Sequence, residues 1–577
     1  MSIVQTENEK PQVIWKERDC IGSQMSDALK EWGKRRNIHP KVLEVLIKRG
    51  FTTVEECEKF VFGTLSDTTP ATAFGEEMEK AIARIKVAMQ KREKIVIFAD
   101  YDVDGTTACS IMMGTLKRLQ NHYKFELDLI IPDRFKEGYG LNDKNIVRLV
   151  AMNPNLVITV DCGISSASQI ASLKEKGIDV IVTDHHEPKA ELPTDALAIV
   201  HPKFCNYPFV SLSGAGVAYQ LCKGLWEVHG KKAPEWVERD MLDLVALGAI
   251  CDIMDIKEAD NRIYVKEGLK LIEQGRRFGL ATMGSRLNWK KVTPYTLGFQ
   301  IGPRINAAGR IEEADCVVEM LLSNDADIVN SILNVLEERN QERKKIQEYI
   351  VKKGLEQIAK SNYKYLSVVI GDEGFHEGVV GIAASKMIDV FYRPTFVLAR
   401  NEEGMLKGSA RSIEGVNLFE VMQMHEKGLL HSWGGHYAAA GLTIHPDNVK
   451  TFFDKIEDTL SKYPKETWIR KKYWDGHIRA SDINETLFTS VDALEPFGQG
   501  FPKITWKLQG MLVHRKIMKN DPDKLRGTIL IDGELEFPFI MWEKGLEIEV
   551  NTPYTLYGHF QFNDFFKHME FNIIDFQ

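Results

Sequence analysis

The sequence lacks the features that mark secreted proteins, cysteine-zinc proteins and membrane proteins. Its eight cysteines are dispersed, none forms a Cys-x-x-Cys pair, and none follows Cys316. This spacing argues against a disulfide framework or a zinc site and is typical of a reducing cytoplasm. No apolar run approaches the roughly 20 residues that span a bilayer, and the first residues lack the apolar core of a signal peptide. We therefore expect a cytoplasmic protein without a membrane partner.

An excess of positive charge is also missing. The chain has 74 Lys and Arg against 82 Asp and Glu, a formal net charge of −8. A surface that binds nucleic acid must therefore be local. The composition, 44% hydrophobic and 27% charged, is that of an ordinary globular protein. Because 577 residues exceed what one core usually holds, we expect three or four domains.

Short apolar runs alternate with helical stretches in the first half of the chain. From about residue 26 to 90 the spacing of apolar residues is helical. Five strand-like runs follow, each closed by a turn or an acid: KIVIFAD, FELDLIIPD, LVITVDCG, DVIVTDHH and ALAIVHP. Strands separated by helices predict an α/β fold, a doubly wound domain with a mainly parallel sheet. In such sheets ligands bind at the carboxyl ends of the strands, where the acids and histidines lie.

The remaining sequence divides into a long helix and two further domains. The charged stretch from residue 313 contains no Gly or Pro for some forty residues, which predicts a solvated helix that connects two domains. A second α/β unit begins at YLSVVIGDEGF, and the final segments alternate like a small β-barrel such as an OB-fold. The predicted domains are a helical segment 1–80, an α/β domain 81–312, a connecting helix 313–360, a second α/β domain 361–465 and a barrel 466–577.

Acidic and imidazole side chains cluster in four segments at expected strand ends or turns. They are Asp100, Asp102 and Asp104 in FADYDVDG, Asp161 in VDCG, Asp184 with His185 and His186 in TDHH, and Asp252 with Asp255 in ICDIMD. Like charges at every second position raise each other's pKa unless a cation lies among them. Carboxylates and imidazole without thiolate suit Mg²⁺ or Mn²⁺ better than structural zinc. The number of acids predicts two ions, which would stabilise an in-line displacement at phosphorus and activate water.

Each of these residues also has an ordinary structural interpretation. An acid at a strand end is often a helix N-cap, and adjacent histidines on a strand end point in opposite directions. We interpret Asp255 as structural. Four such segments in one α/β unit nevertheless favour a shared metal site.

In their order, DYDVDG, VDCGI, TDHH and GAICDIMD resemble the DHH phosphoesterase superfamily, which is named after the triplet in the third segment. Within it, the chain is similar to the RecJ family of single-strand-specific exonucleases. Five later segments carry this closer resemblance: GPRINAAGR, FHEGVVGIAASK, GSARS, GGHYAAAGL and EPFGQGFP. Two positions depart from the family pattern, since Phe375 stands where Trp is usual and CDIMDI replaces an apolar-Asp-Val-Val segment.

The resemblance implies a 5′→3′ exonuclease that removes nucleotides from single-stranded DNA during repair and recombination, with Mn²⁺ or Mg²⁺ as cofactor. It also implies a DHH domain and a DHHA1 domain joined by the long helix, with an OB-fold attached. Single-stranded DNA would be the main partner, a single-strand-binding protein and a helicase would be further partners, and we expect a monomer.

The resemblance further implies roles for individual residues. The metal ligands would be Asp100, Asp102, Asp104, Asp161, His185 and Asp252, with Asp161 between the ions. His186 would lie beside the metals and contact phosphate, and Asp184 would orient a histidine. The DNA would be held by Arg304, Asn306, Ser409, Arg411 and His436. Small residues around His436 allow a close phosphate contact, or equally a tight helix–sheet contact.

Two features of the predicted barrel are compatible with binding of single strands. Its aromatic residues could either stack against nucleobases or form the core of the barrel. We favour a position in the core for each of Trp506, Trp542, Tyr554, Tyr557, Phe560 and Phe562. The basic segment 514–526 is predicted to be a loop between strands, either following the phosphates or simply solvated.

Two other functions remain open from the sequence. The chain would be a DHH phosphodiesterase of short oligonucleotides or cyclic dinucleotides, although such relatives are generally shorter and lack an OB-fold. Alternatively it would be a non-catalytic DHH-like scaffold that binds DNA, although such a protein would be expected to lose metal ligands that are all present here.

Overall fold

A computed structural model describes residues 11–21, 25–134, 136–188, 191–311, 314–361, 365–401 and 403–577. The chain forms two compact units, one of Met1–Lys16 with Val335–Lys472 and the other of Glu17–Asn334 with Tyr473–Gln577. The predicted domain boundary between residues 312 and 313 lies outside the described residues. Because the larger unit contains both the parallel sheet and the C-terminal barrel, these two parts belong to one compact body.

Helices occupy the region before the parallel sheet, as the apolar spacing predicts. The elements are β1 (Val13–Glu17), α1 (Asp27–Arg35), α2 (Pro40–Lys48), α3 (Val54–Phe62) and α4 (Glu76–Lys91). Ser26 and Thr53 cap two of these helices, and Thr53 forms a capping box with Glu56. Buried Arg49 donates to Asp475 at 3.0 Å and to the carbonyl of Pro502 at 2.6 Å, which joins this region to the segment before the barrel.

The predicted parallel sheet is confirmed and has five strands. Its elements are β2 (Lys94–Ala99), α5 (Val103–Tyr123), β3 (Glu126–Ile130), α6 (Asp143–Ala151), β4 (Leu156–Val160), α7 (Ala167–Glu175), β5 (Asp179–Thr183), β6 (Ala198–Val200) and α8 (Gly214–Glu227). The strand order is β3-β2-β4-β5-β6 and every pairing is parallel. The strand order reverses between β2 and β4, because the chain passes from β2 to its neighbour β3 on one side and from β4 to its neighbour β5 on the other. Such a reversal opens a crevice at the carboxyl ends of β2 and β4.

A helical region follows the sheet. It comprises α9 (Glu235–Glu238), α10 (Leu242–Cys251), α11 (Ala259–Glu273), α12 (Phe278–Leu287), a π-helical turn Thr296–Ile301, α13 (Gly302–Ile311), α14 (Asp315–Leu322) and α15 (Ala326–Lys360). The long helix thus begins at Ala326, later than predicted, and α14 is separate from it. Asp325 explains the break, because its carboxylate accepts the N–H groups of Asp327 and Ile328 and so starts a new helix.

The smaller unit contains a five-stranded mixed sheet. Its elements are β7 (Val368–Asp372), α16 (Val380–Phe391), β8 (Thr395–Arg400), β9 (Leu406–Arg411), α17 (Leu418–Gln423), β10 (Leu430–Gly435), β11 (Ala439–Ile444) and α18 (Val449–Leu460). The order is β10-β11-β9-β8-β7, with only β7 and β8 parallel. Its core includes Phe396, Phe452 and Ile456, all fully buried.

The C-terminal residues form the predicted barrel. The elements are β12 (Arg470–Trp474), β13 (Gly476–His477), α19 (Glu485–Ala493), β14 (Trp506–Met518), β15 (Asp521–Ile531), β16 (Leu535–Met541), β17 (Pro553–Asn563) and β18 (His568–Phe576). Strands β14-β15-β16-β18-β17 pair in sequence, and β17 returns to β14, which closes a five-stranded barrel.

One prediction about the barrel is wrong. Segment 514–526 is not a loop, because β14 runs to Met518 and β15 resumes at Asp521, joined by a tight turn. Both faces of this hairpin end are largely exposed, so the strands lack the apolar alternation by which they would be recognised. Of the six aromatic residues, Trp506, Tyr557 and Phe560 are buried core, as favoured, whereas Trp542 and Phe562 are exposed.

Among the described residues, no helix is both long enough and apolar enough to span a membrane.

Candidate active site

The predicted metal ligands lie at the carboxyl edge of the parallel sheet. Asp100 follows β2, Asp161 follows β4, and Asp184 and His185 follow β5. Asp252 is the C-cap of α10 and reaches the same crevice. Nε2 of His185 lies 3.1 Å from Asp161, 3.4 Å from Asp252 and 3.7 Å from Asp104. The fold thus brings together residues that are up to 152 positions apart in the chain.

Asp102 and Asp104 are held by the first turns of two helices. Asp102 caps α5, and its carboxylate accepts the N–H of Gly105 at 3.0 Å. Asp104 accepts the N–H groups of Gly214 and Ala215 at 2.5 and 2.9 Å, at the start of α8. The positive end of a helix dipole stabilises an ionised carboxylate there.

Two glycines next to the cluster leave room for the carboxylates of Asp104 and Asp161. A Cβ atom on Gly214 would lie 2.4 Å from Oδ1 of Asp161, and one on Gly248 would lie 2.3 Å from Oδ1 of Asp104. Any side chain at either position would therefore displace an acid.

Two site residues have strained backbones. Asp161 has φ of 60° and Ile253, next to Asp252, has φ of 58°. A β-branched residue such as Ile253 rarely adopts this left-handed conformation, and strain of this kind is concentrated at functional sites. Both strained residues adjoin or belong to the cluster of acids.

Several atoms of the cluster that could coordinate a metal are buried and have no hydrogen bond among the described residues. They are Oδ1 of Asp100, Oδ1 of Asp161 and Nε2 of His185. Such orphaned atoms are costly unless another partner satisfies them. The short distance between Asp161 and His185 brings two lone-pair donors together, an arrangement that a cation between them would stabilise.

The donor atoms form three groups whose members lie within 4.8 Å of one another. The groups are Asp100–Asp102–Asp161, Asp104–His185–Asp252 and Asp161–His185–His186. Asp161 and His185 each occur in two groups, so they lie at the centre of the cluster. The donors are carboxylate oxygens and imidazole nitrogens, which fit Mn²⁺ or Mg²⁺.

Burial and mutual repulsion shift the ionisation of the cluster. Burial, followed by the neighbouring carboxylates, raises the pKa values of Asp100, Asp102 and Asp161. The same two causes raise the pKa of Asp252 to about 8. Burial lowers the pKa of His185, which favours the neutral imidazole that a metal requires. All these shifts disfavour charge in the absence of a cation.

Asp184 organises the two histidines without joining the cluster. Its Oδ1 accepts the N–H of His185 at 2.7 Å and the ring Nδ1–H of His186 at 2.8 Å, while Oδ2 accepts the N–H of Ile164 at 2.9 Å. Although burial opposes protonation, the bond to Asp184 raises the pKa of His186 to about 9. His186 is therefore positioned as a cationic donor at the edge of the cluster.

Two residues near the cluster were missed by the analysis of the sequence. The hydroxyl of Tyr139 lies 3.3 Å from the ring nitrogens of His186, and Arg134 lies over the ring of Tyr101, with 5.2 Å to its centroid. Gly138 and Gly140, both with positive φ, flank Tyr139. The position of an aromatic residue between two glycines, after a predicted strand, is the sequence signal that could have identified Tyr139.

The predicted DNA-binding residues lie in both units. In the larger unit, Arg304 and Asn306 lie on α13, and Arg304 donates to the carbonyl of Gln300 at 2.7 Å. In the smaller unit, Arg411 donates to Oγ of Ser409 at 2.9 Å, and a Cβ atom on Gly381 of α16 would lie 3.0 Å from each side chain.

Arg411 and Ser409 are thus placed near the first turn of α16. Burial lowers the pKa of Arg411. His436 is exposed in the β10–β11 turn, and β11 pairs with β9 so that Ala439 faces Arg411. The three residues therefore lie at one end of this sheet.

Comparisons with known proteins agree with this architecture. Sequence models match three regions: "DHH family, N-terminal domain" at residues 94–249, "DHHA1 domain" at 361–462 and "RecJ OB domain" at 474–575. The single-stranded-DNA-specific exonuclease RecJ of Bacillus subtilis is 37% identical over 83% of this chain and 59% of its own length. The RecJ exonuclease of Haemophilus influenzae is 33% identical over 87% of this chain and 92% of its own length.

A solved structure shows the same fold. RecJ of Thermus thermophilus in complex with Mn²⁺ has a TM-score of 0.82 and 24% identity, and the match covers 98% of this chain and 80% of that one. Three matched domains in one order, together with relatives above 30% identity over most of the chain, establish the family. The chain belongs to the RecJ family of single-stranded-DNA-specific exonucleases.

Proposed function

We propose that the chain is a 5′→3′ exonuclease that hydrolyses the phosphodiester bonds of single-stranded DNA with two divalent ions. The observation that carries this proposal is the cluster of acids and His185. Its possible ligand atoms form three overlapping groups, each within 4.8 Å, and three of these atoms are buried without a hydrogen bond among the described residues. Divalent ions bound there would polarise the scissile phosphate and activate water. Relatives named as RecJ exonucleases, one of them solved with Mn²⁺, support the choice of ion and substrate.

The residues of this chain then have distinct roles. The proposed metal ligands are Asp100, Asp102, Asp104, Asp161, His185 and Asp252, with Asp161 between the ions. Asp184 holds the imidazole ring of His186, which would donate to a phosphate oxygen. Arg304 and Asn306 would hold the strand near the ions.

The smaller unit would supply a second phosphate-binding site. Ser409, Arg411 and His436 lie at one end of its sheet, and the guanidinium of Arg411 is suited to phosphate. We also propose that the protein acts as a monomer in the cytoplasm, in DNA repair and recombination. Its partners there would be a single-strand-binding protein and a helicase. We also propose the domain division 1–80, 81–312, 313–360, 361–465 and 466–577.

Digestion of end-labelled DNA tests the central claim. A 5′-labelled strand should release labelled mononucleotide at once in Mn²⁺, a 3′-labelled strand should shorten progressively, and a blunt duplex should persist. Release of the 3′ label first would overturn the polarity. Faster cleavage of dinucleotides than of long strands would favour a phosphodiesterase of short oligonucleotides. No cleavage in any metal would favour a DNA-binding scaffold.

A further inference from the structure

Two large aromatic rings are stacked on the surface beside the candidate active site. Tyr295 and Phe299 have ring centroids 4.9 Å apart and planes 18° apart. Their exposed fractions are 62% and 69%, although large aromatic side chains generally bury most of their area. One face of each ring covers the other ring, so the opposite face of each remains open to solvent.

The local backbone explains why these rings are aligned. They lie at the start and within a π-helical turn, Thr296–Ile301. A π turn closes i→i+5 hydrogen bonds, so the residue four positions along lies nearly above the first. Leu297 and Ile301 of the same turn are fully buried and anchor it. Turns of this kind are frequently found at functional sites.

The inner side of the turn packs against the element that carries Asp252. Sγ of Cys251, the residue before Asp252, donates to the carbonyl of Leu297 at 3.6 Å. A Cβ atom on Gly298 would lie 3.6 Å from Cγ2 of Ile250, at the end of α10. The rings are therefore on the outer side of a turn whose inner side touches the metal-binding segment.

The following helix, α13, contacts the turn that carries Asp100 and Asp102. A Cβ atom on Gly309 would lie 2.9 Å from the carbonyl of Tyr101, the residue between Asp100 and Asp102. Arg304 also lies on this helix and bonds the carbonyl of Gln300 in the π turn. The segment that carries the rings is thus continuous with the proposed DNA-binding residue and with the site.

A groove of about 310 Å³ is lined by Tyr295 together with residues of α11 and of the segment before the barrel. Apolar side chains such as Leu269, Val292 and Phe497 contribute to its lining. Three lysines and three acids line it, with Lys270 paired to Glu267 and Glu495 paired to Lys291, so the charges balance. Balanced charge gives little attraction for a phosphate backbone, so this surface is suited to flat apolar groups instead.

We propose that Tyr295 and Phe299 form a stacking platform for the nucleobases of the single strand, a few nucleotides from the scissile bond. This inference rests on the proposed function. A base placed on an open ring face would extend the existing pair into a column of three rings. Base–aromatic stacking is tolerant of sequence, because every base presents a π face, which suits an enzyme that degrades any single strand.

Binding measurements test the platform without cleavage. The probe is a 20-nucleotide single strand containing 2-aminopurine, with EDTA in the buffer. We expect wild-type protein to quench the fluorescence, and the Tyr295→Ala/Phe299→Ala variant to lose the quenching and to bind with a Kd about 10–100-fold higher. The slope of log Kd against log salt should stay unchanged, since stacking releases no counterions.

Matched variants separate stacking from packing and from general surface effects. Tyr295→Phe/Phe299→Tyr keeps both π faces and should bind like wild type. Tyr295→Leu/Phe299→Leu keeps apolar bulk without π faces and should bind like the alanine variant. Tyr365→Ala removes a tyrosine of similar exposure, 59%, in the smaller unit and should change nothing.

Activity measurements distinguish this inference from the proposed function. In Mn²⁺ the alanine variant should show a KM for the 20-nucleotide strand raised about 10-fold or more, with kcat within about 3-fold. Wild-type affinity and quenching in the alanine variant would overturn the platform while leaving the nuclease intact, and would identify the rings as a contact for another molecule. Absence of cleavage by wild-type protein would overturn the proposed function, although the quenching would still report on stacking.

Discussion

At the scale of single residues, the cluster around Asp161 carries an electrostatic cost that bound divalent cations would offset. Burial and, after it, repulsion between neighbouring carboxylates raise the pKa values of Asp100 and Asp161, so their ionised forms are unfavourable without a cation. Nearby dipoles compensate only in part, for instance at Asp104, which two N–H groups of α8 stabilise. The protein tolerates the cost because divalent cations would supply the missing partner.

Asp161→Asn should therefore separate stability from activity. The substitution removes a charge without changing the shape, so the metal-free protein should melt about 2–5 °C higher while cleavage in Mn²⁺ falls at least about 100-fold. Scanning calorimetry in EDTA and a nuclease assay measure the two effects. Asp255→Asn is the matched control, since the carboxylate of Asp255 accepts a local backbone N–H, from Lys257 at 2.7 Å. A variant that is less stable without metal would contradict the account of repulsion.

At the scale of elements, buried polar side chains join segments that are distant in the chain. Arg262 on α11 donates to the carbonyls of Phe60, Leu494, Glu495 and Pro496 at 2.5 to 3.0 Å. Its guanidinium lies 3.8 Å from the ring centroid of Phe60, and burial lowers its pKa to about 9. One side chain thus holds α3 and the segment before the barrel.

Arg262→Met should destabilise the larger unit strongly. Several buried carbonyls would lose their donor, which should cost about 3–5 kcal/mol. Arg262→Lys should recover little of this loss, because an ammonium group cannot reproduce the planar fork. Lys270→Met, on the same helix but exposed, serves as control. Urea unfolding measures the effect, and amide hydrogen exchange at Leu494 and Glu495 should increase. A loss below about 1 kcal/mol would contradict the structural role.

The stability of the barrel should depend on pH because of His559. The side chain lies on β17, accepts from Nδ2 of Asn572 at 3.1 Å, and its pKa is lowered by burial to about 4. Above pH 6.5 the ring is neutral in both states and has no effect. Below pH 6.5 the His559 ring is protonated in the unfolded chain but stays neutral in the folded barrel. The free energy of unfolding therefore falls as the pH falls towards 4.

His559→Gln should flatten this dependence, because glutamine retains an acceptor but does not titrate. Between pH 7 and pH 5 the wild type should lose about 1–2 kcal/mol more stability than the variant. Unfolding in urea at the two pH values measures the difference, with the exposed His445→Gln as control. Equal losses in wild type and His559→Gln would show that His559 is readily protonated in the folded barrel.

At the scale of the whole molecule, two compact units have separate cores. The acidic cluster, the parallel sheet and the barrel belong to the larger unit, whereas Ser409, Arg411 and His436 belong to the smaller one. Cooperative unfolding is a property of a single core, so a chain with two should not unfold in one step.

Calorimetry should therefore resolve two transitions, and metal should move only one. At 100 times its Kd, a ligand stabilises the native state by about 2.7 kcal/mol. Saturating Mn²⁺ should raise the transition of the larger unit by a few degrees, and EDTA should reverse the shift. The transition of the smaller unit should stay in place, which makes it an internal control. A single transition that moves as a whole would show that the two units unfold together.

The sequence by itself determined the class of each domain and which acids lie together at the carboxyl edge of the parallel sheet. Both depend on local patterns: the alternation of apolar residues sets strands and helices, and acids directly after apolar runs mark the carboxyl edge of a sheet. The hairpin 514–526 was misassigned for the same reason, since strands exposed on both faces have no alternation to read.

Only the tertiary structure decided which side chains meet. The contact of Asp104 with the first turn of α8 joins residues 111 positions apart, and the contact of Tyr139 with His186 joins residues 47 positions apart. The outward stack of Tyr295 and Phe299 likewise depends on a π turn held by α10. Such contacts are set by how the elements pack, because a short-range sequence pattern states what a segment forms and not what it will touch.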